Sequence, residues 1–324
     1  MFSAPTVRQQ WMICVLIYNF CAFAVQMPLG LFVDRFGNGE AFASVGCLLL
    51  ALSPLFVKIP VLLCIAAGLG NALFHVGAGG DILEMCPDKA GLFGVFVSPG
   101  AFGIFLGALA GKTASIPLWC ASAVSVICAV FCYTVSSEKA NGTRRKNQIK
   151  NDEKTDGKTG KKLLIKTAAL ACLTAVVALR SFQGLAMDFD WKKGAALGFA
   201  AVFATASGKA AGGFMKDRFG AVRTSAASLI LSSILFCFSS SVIPALIAIF
   251  LFNITMPITL DRAASLLPRM KAFSFGLLTF ALFLGFAAVY IGAGLPKSGV
   301  YYALVAFASL ILLLPGIIFP RKKS

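Results

Sequence analysis

Gly30-Leu31-Phe32-Val33-Asp34-Arg35-Phe36-Gly37 returns 183 positions later as Gly213-Phe214-Met215-Lys216-Asp217-Arg218-Phe219-Gly220. Both copies close an apolar run long enough to cross a bilayer, and both set an acid and a base between two glycines at the polar edge of that run. The spacing holds further along the chain: Asn71 and Asn253, Gly94 and Gly276, and Gly103 and Gly285 each stand 182 positions apart. The two halves are therefore parallel repeats, a construction common among membrane transporters.

Composition agrees. Of the 324 residues 58% are apolar and only 13% charged, with a mean hydropathy of +0.86. A soluble domain carries roughly 25% charged residues, so this chain has too little polar surface for water, and a soluble enzyme or a secreted disulfide module is excluded. The 29 Lys and Arg outnumber the 13 Asp and Glu. Ten of these cations, Lys139, Arg144, Arg145, Lys146, Lys150, Lys154, Lys158, Lys161, Lys162 and Lys166, share one stretch without interleaved aromatics. Most others flank apolar runs, so the charge reads as membrane topology, and nucleic acid is not an expected partner. The ten Cys show no CxxC or metal spacing and read as small buried apolar residues. No cofactor and no metal are expected.

Apolar runs of membrane length lie at about 10–33, 41–57, 60–83, 91–112, 116–135, 163–187, 194–215, 222–240, 242–260, 272–295 and 299–319. Their length and continuity favour helices over barrel strands. The fold class expected is an all-α polytopic membrane protein of two pseudo-symmetric helical bundles, five helices in 1–135 and six in 163–324, joined by a basic linker at 136–162. Outside that linker Arg35, Lys89, Lys216, Arg218, Arg223, Arg262, Arg269, Lys271, Arg321, Lys322 and Lys323 fall on one side. Only Arg8, Lys58, Lys112, Lys192, Lys193 and Lys297 fall on the other. The first side is expected to face the cytoplasm of a plasma membrane, with the C-terminus inside and the N-terminus outside. The span 163–187 has no counterpart in the first half, where it would fall before Met1. The expectation is a chain that begins late, or a lineage that lost one helix.

The twice-repeated G-x-x-x-D-R-x-G, on the side rich in cations, resembles the signature loop of the major facilitator superfamily. The resemblance covers essentially the whole chain and implies two bundles rocking about a central site at mid-membrane, with membrane lipid, a small solute and protons as partners. More loosely, Tyr18-Asn19, Gly68-Leu69-Gly70-Asn71-Ala72-Leu73-Phe74-His75, Gly208-Lys209-Ala210-Ala211-Gly212-Gly213 and Asn253-Ile254-Thr255-Met256-Pro257 look like the fosmidomycin-resistance branch of drug exporters. There are departures. Asn38-Gly39-Glu40 and Ala221-Val222-Arg223 stand where the family loop often carries two basic residues, and Cys64 stands where its fourth-helix Arg is expected. Gly103, Gly107 and Gly111 resemble the antiporter glycine motif without its Gly-Pro pair.

Gating is expected of Gly30, Asp34, Arg35, Gly37, Gly213, Asp217, Arg218 and Gly220. The glycines allow close approach and tight turns, and the aspartates can cap a helix or pair with a cation across the bundles. Asp81 and Asp261 are the candidate partners of Arg35 and Arg218 respectively. The candidate substrate or proton pathway is His75, Asn71, Arg180, Asn253, Thr255, Lys209 and Gln26. His75 is the only histidine, a group able to exchange a proton near neutral pH, and Asn71 is one turn away. Arg180 is costly to bury and needs an anion, water or an interface, with Gln183 and Asp188 near in sequence. Lys209 and Gln26 occupy equivalent places in the repeat, while Thr255, Thr259 and Pro257 offer cavity hydrogen bonds and a break in the helix.

The function expected is secondary transport of a small organic solute by alternating access, with proton-coupled drug or metabolite efflux as its finer form. One rival is a truncated relative or membrane sensor that transports nothing. Another is an intramembrane enzyme using His75 with Asp81, but six residues on a helix put these two on different faces, and no catalytic motif is present.

Overall fold

Backbone groups in hydrocarbon must find their partners within the chain, and a helix satisfies them turn by turn. The computed structural model describes residues 7–87, 89–113, 117–141 and 159–318, and among these all regular structure is helical. The first half contains α1 (Val7–Asn19), α2 (Gln26–Phe36), α3 (Gly39–Leu52), α4 (Pro60–Met85), α5 (Gly91–Val97), α6 (Pro99–Thr113) and α7 (Leu118–Asn141). The second contains α8 (Thr159–Ala186), α9 (Gly194–Phe219), α10 (Ala221–Phe236), α11 (Val242–Asn253), α12 (Thr255–Leu266), α13 (Lys271–Tyr290) and α14 (Gly299–Ile318).

Three rods are interrupted, each close to a proline. A π-helical turn, Phe20–Ala24, joins α1 to α2, ahead of Pro28, which cannot donate to the Ala24 carbonyl. α5 meets α6 at Ser98 before Pro99, and α11 meets α12 at Ile254, where Pro257 cannot donate to Asn253. With these pieces joined, each of the eleven expected spans coincides with one rod among the described residues. Eight rods are long and apolar enough to cross a membrane by length and composition, and Trp119–Val135 and Ala221–Phe236 are shorter apolar helices. The span placed at 272–295 stops earlier, at Tyr290, because Gly292 takes φ 98° and Pro296 follows. Most of the basic linker, 142–158, lies outside the described residues, as do Arg321, Lys322 and Lys323.

In the first half α4 packs on α3, and α3 on α7; in the second α13 and α14 pack on α8, and α10 on α11 and α14. The halves meet chiefly where α2 crosses α13 and where α5 crosses α9, with α4 also touching α13. The larger buried cluster lies mostly in the second half, around Leu229, Phe236, Phe252, Ile258 and Tyr302. At the α2 crossing Val33, Val76 and Ala272 form a small separate one. The repeat is uneven in its packing too. A Cβ on Gly285 would lie 2.4 Å from the Ala178 carbonyl oxygen of α8, whereas its mate Gly103 on α6 has nothing within 4 Å.

Candidate functional site at the bundle crossings

Small residues bring the two halves to backbone contact. Where α2 crosses α13, a Cβ on Gly30 would lie 2.6 Å from the Ala272 carbonyl oxygen, and one on Gly276 2.3 Å from that of Gln26. Where α9 crosses α5, a Cβ on Gly213 would lie 2.1 Å from the Ala90 carbonyl oxygen, and one on Gly94 2.5 Å from that of Lys209. No larger residue fits so close an approach. Gly30 is the repeat mate of Gly213 and Gly94 that of Gly276, so each crossing uses one glycine of each kind. The equivalence of Gln26 and Lys209 also appears here, as the two backbone sites on which the partner glycines rest.

Close approach lets each signature aspartate reach into the other half. Asp34 accepts the Ala272 N–H at 2.9 Å and the Phe273 N–H at 2.8 Å. Asp217 accepts the Ala90 N–H at 2.8 Å and the Gly91 N–H at 2.9 Å. Each carboxylate thus caps the N-terminus of a helix across the interface, where unpaired N–H groups and the helix dipole favour a negative charge. Just beyond, Gly37 at φ 64° and Gly220 at φ 85° turn the chain into the next helix, a conformation that suits glycine.

The cations are arranged otherwise than the sequence suggested. Asp261 was expected to meet Arg218, but it pairs with the buried Lys216, whose Nζ lies 3.2 Å from Asp261 and 3.3 Å from Asp217. Two positions along a helix are about 200° apart, so with Lys216 turned inward Arg218 points out, its guanidinium 5.4 Å from the Phe219 ring. Arg35 is likewise exposed and makes no ion pair with Asp81, whose Oδ2 is buried without a hydrogen-bond partner. Val33 occupies the position equivalent to Lys216. A cavity of about 30 Å³ beside Asp261 is lined by Cys86, Phe93, Ser265 and Lys271.

Deeper in the first half Gln26 donates to the Ala22 carbonyl at 2.6 Å and Asn71 to the same oxygen at 3.4 Å. Two candidate residues thus converge on the π-helical turn, a kind of irregularity frequent at functional sites. His75 sits among rings: Phe74 at 5.2 Å, Phe96 at 5.8 Å and, from the other half, Phe275 stacked at 6.5 Å. Asp81 is not among its neighbours. In the second half Arg180 donates to the Phe252 carbonyl at 3.3 Å, with its guanidinium 5.4 Å from the Phe252 ring. Asn253 donates to Ile249 at 2.9 Å, and Thr255 to Phe252 at 3.3 Å. The structure therefore groups Gln26 with Asn71, and Arg180 with the Phe252–Thr255 break, leaving His75 between the halves.

Asp188, near Arg180 in sequence, goes elsewhere. It pairs at 2.5 Å with Lys297 in the opposite loop, and its peptide is pinned by Tyr302, whose hydroxyl donates to the Asp188 carbonyl at 2.9 Å. The Lys297 hydrogen bond and charge hold the Asp188 carboxyl below the usual carboxylate range, and Asp188 in turn raises the Lys297 amine. Sequence reasoning missed Lys216, the Phe96 and Phe275 rings, and the Lys297 pair. One signal for Lys216 was present: Lys209, Gly213 and Lys216 follow the i, i+4, i+7 spacing that places residues on one helix face.

The family model of the Major Facilitator Superfamily matches residues 6–290. No curated protein matches the sequence. Among solved structures, a variant of the E. coli fucose:proton symporter FucP is similar at 14% identity and a TM-score of 0.62, covering 96% of this chain and 91% of that one. A second FucP structure, in the outward conformation, is similar at 13% identity and a TM-score of 0.59, covering 97% and 91%. At such identities the likeness is one of fold.

Proposed function

Since the chain belongs to the major facilitator superfamily and is a multi-pass membrane transporter, we propose that it carries a small organic solute by alternating access, exporting it against protons. The observation that carries the reading is the pair of reciprocal caps. Asp34 and Asp217 each tie the end of one half to a helix start in the other, and both ties lie on the basic side of the molecule. We assign that side to the cytoplasm of the plasma membrane, so the conformation is one sealed toward the cytoplasm. Opening it must break four hydrogen bonds to two carboxylates, which makes the caps the latch of the cycle.

We assign the exchangeable proton to His75. Its ring stacks on Phe275 of the opposite half, so a charge gained there acts directly on the contact between halves. Export is the direction favoured by the likeness of the Gly68–His75 and Asn253–Pro257 segments to drug exporters. The test is transport in proteoliposomes under an imposed pH gradient, with a panel of neutral, cationic and anionic drug-like solutes. Native protein moves at least one of them faster with the gradient than without. His75→Gln keeps exchange of that solute between compartments and loses the response to the gradient. Failure of every solute to move removes the transport reading, and an unchanged gradient response in His75→Gln removes the proton assignment.

A further inference from the structure

We infer that Arg180 and Lys209 form a recognition site for an anionic group, and that the solute is a small organic anion bearing a carboxylate. The inference rests on the transporter reading and names its substrate class. Arg180 is only 9% exposed. Its single hydrogen bond to protein, through Nη2 to the Phe252 carbonyl, fixes the guanidinium over the Phe252 ring, and its Nε is buried with no acceptor. Lys209 is half-buried and lies on α9 between Gly208 and Gly212, which press on Phe250, Asn253 and Ile254, the same stretch of backbone that Arg180 binds at Phe252.

None of the described acids forms an ion pair with either cation. Asp34 and Asp217 are spent on the caps, Asp261 is held by Lys216, Asp188 by Lys297, and Asp81 lies against Gly39. Two like charges brought together away from water destabilise the fold unless an anion joins them. Their arrangement suits that anion. A guanidinium already oriented by a carbonyl and a ring, with an idle Nε, offers a fork to a carboxylate, and a neighbouring ammonium supplies a second point charge. The site is one-sided, since the mate of Lys209 is the neutral Gln26, whose amide is engaged with Ala22. A bound anion therefore belongs to the second half and can travel with it.

The experiment uses the full chain in vesicles of uncharged lipid, so that no headgroup phosphate can stand in for the solute. Probes are benzoate and succinate, each beside its neutral amide or ester, together with a cationic and a neutral drug. Binding is read as a shift in melting temperature and transport as flux of labelled probe. The expected result is that at least one anion, and not its neutral analogue, stabilises the protein. Arg180→Met and Lys209→Met each weaken the anion's affinity about tenfold or more and so shrink the shift, and Arg180→Lys retains part of it. Anion binding without flux supports the site and removes the transport reading. Flux of neutral or cationic solutes alone, or anion binding indifferent to both Met variants, overturns the anion site and leaves transport standing. Absence of both binding and flux for every probe overturns both.

Discussion

The two crossings share their backbone and differ in their charges. Asp34 of α2, capping α13, and Asp217 of α9, capping α5, make the same pair of N–H contacts, all between 2.8 and 2.9 Å. Behind Asp217, however, Lys216 neutralises the carboxylate and ties it to Asp261, while behind Asp34 stands Val33, and Asp81, near the end of α4, has a buried oxygen without a partner. The duplicated geometry is what the capping of a helix demands. The neighbouring cation is not demanded by it, so the two halves have diverged there. One latch is a cap alone, and the other is a cap joined to a buried ion-pair network.

That contrast can be broken in order of expected size. Lys216→Met removes the cation shared by two acids, and since loss of one partner of a buried pair costs on the order of 3 kcal/mol or more, it should give the largest fall in melting temperature. Asp217→Ala and Asp34→Ala come next. Hydrogen bonds to a charged group contribute roughly 1.5 kcal/mol or more each, so each variant should raise opening on the basic side at least about tenfold. Labelling of Cys86, in a chain stripped of its other cysteines, by a membrane-impermeant maleimide measures this. Asp217→Ala should label faster, because it also takes from Lys216 one of the carboxylates it binds; equal rates would show that the network adds nothing to the cap. Asp81→Asn sharpens the comparison from the other side: replacing an unpartnered carboxyl with a neutral amide should leave the melting temperature unchanged or raise it, whereas Asp261→Asn should lower it.

The smallest effect lies away from both crossings, at Asp188 and Lys297. With the Asp188 pKa depressed, the pair stabilises the fold above the ordinary carboxylate range and stops doing so as pH falls through the lowered value. With the Lys297 pKa raised, the contribution is also lost as alkaline pH passes through that higher value. Melting curves of the native chain and Asp188→Asn should therefore converge at acid pH and differ slightly between the two limits. A constant gap down to strongly acid pH would remove the pair from the account.

Much of this was legible in the sequence. The eleven rods follow from apolar length, and the repeated Gly-x-x-x-Asp-Arg-x-Gly marks both crossings, because close approach and a left-handed turn leave few alternatives to glycine. The caps were half legible: an aspartate at that place can cap or pair, and only the fold shows that the helix it caps belongs to the other half. The ion pairs were misassigned because Lys216 and Arg218 flank one aspartate, and which of them faces inward depends on the rotation of α9. Asp188 is near Arg180 in sequence, but its partner sits in a loop 109 residues away, a pairing that sequence proximity does not reveal. Pro28 marks a break in the first rod, but the sequence does not say that the break takes the form of a π-helical turn at Phe20–Ala24.

The glycine contacts at the crossings have a mechanical consequence. Gly30, Gly276, Gly94 and Gly213 press backbone against backbone, with no side chain interlocked at the point of nearest approach. Meshed side chains work as gear teeth, and each must leave its rotamer before the next can engage. Bare backbone works as a journal bearing, on which one rod can roll or slide over the other with little friction. Resistance to turning is then concentrated in the few polar ties around the bearing, so a change at one carboxylate can set the speed of the whole machine.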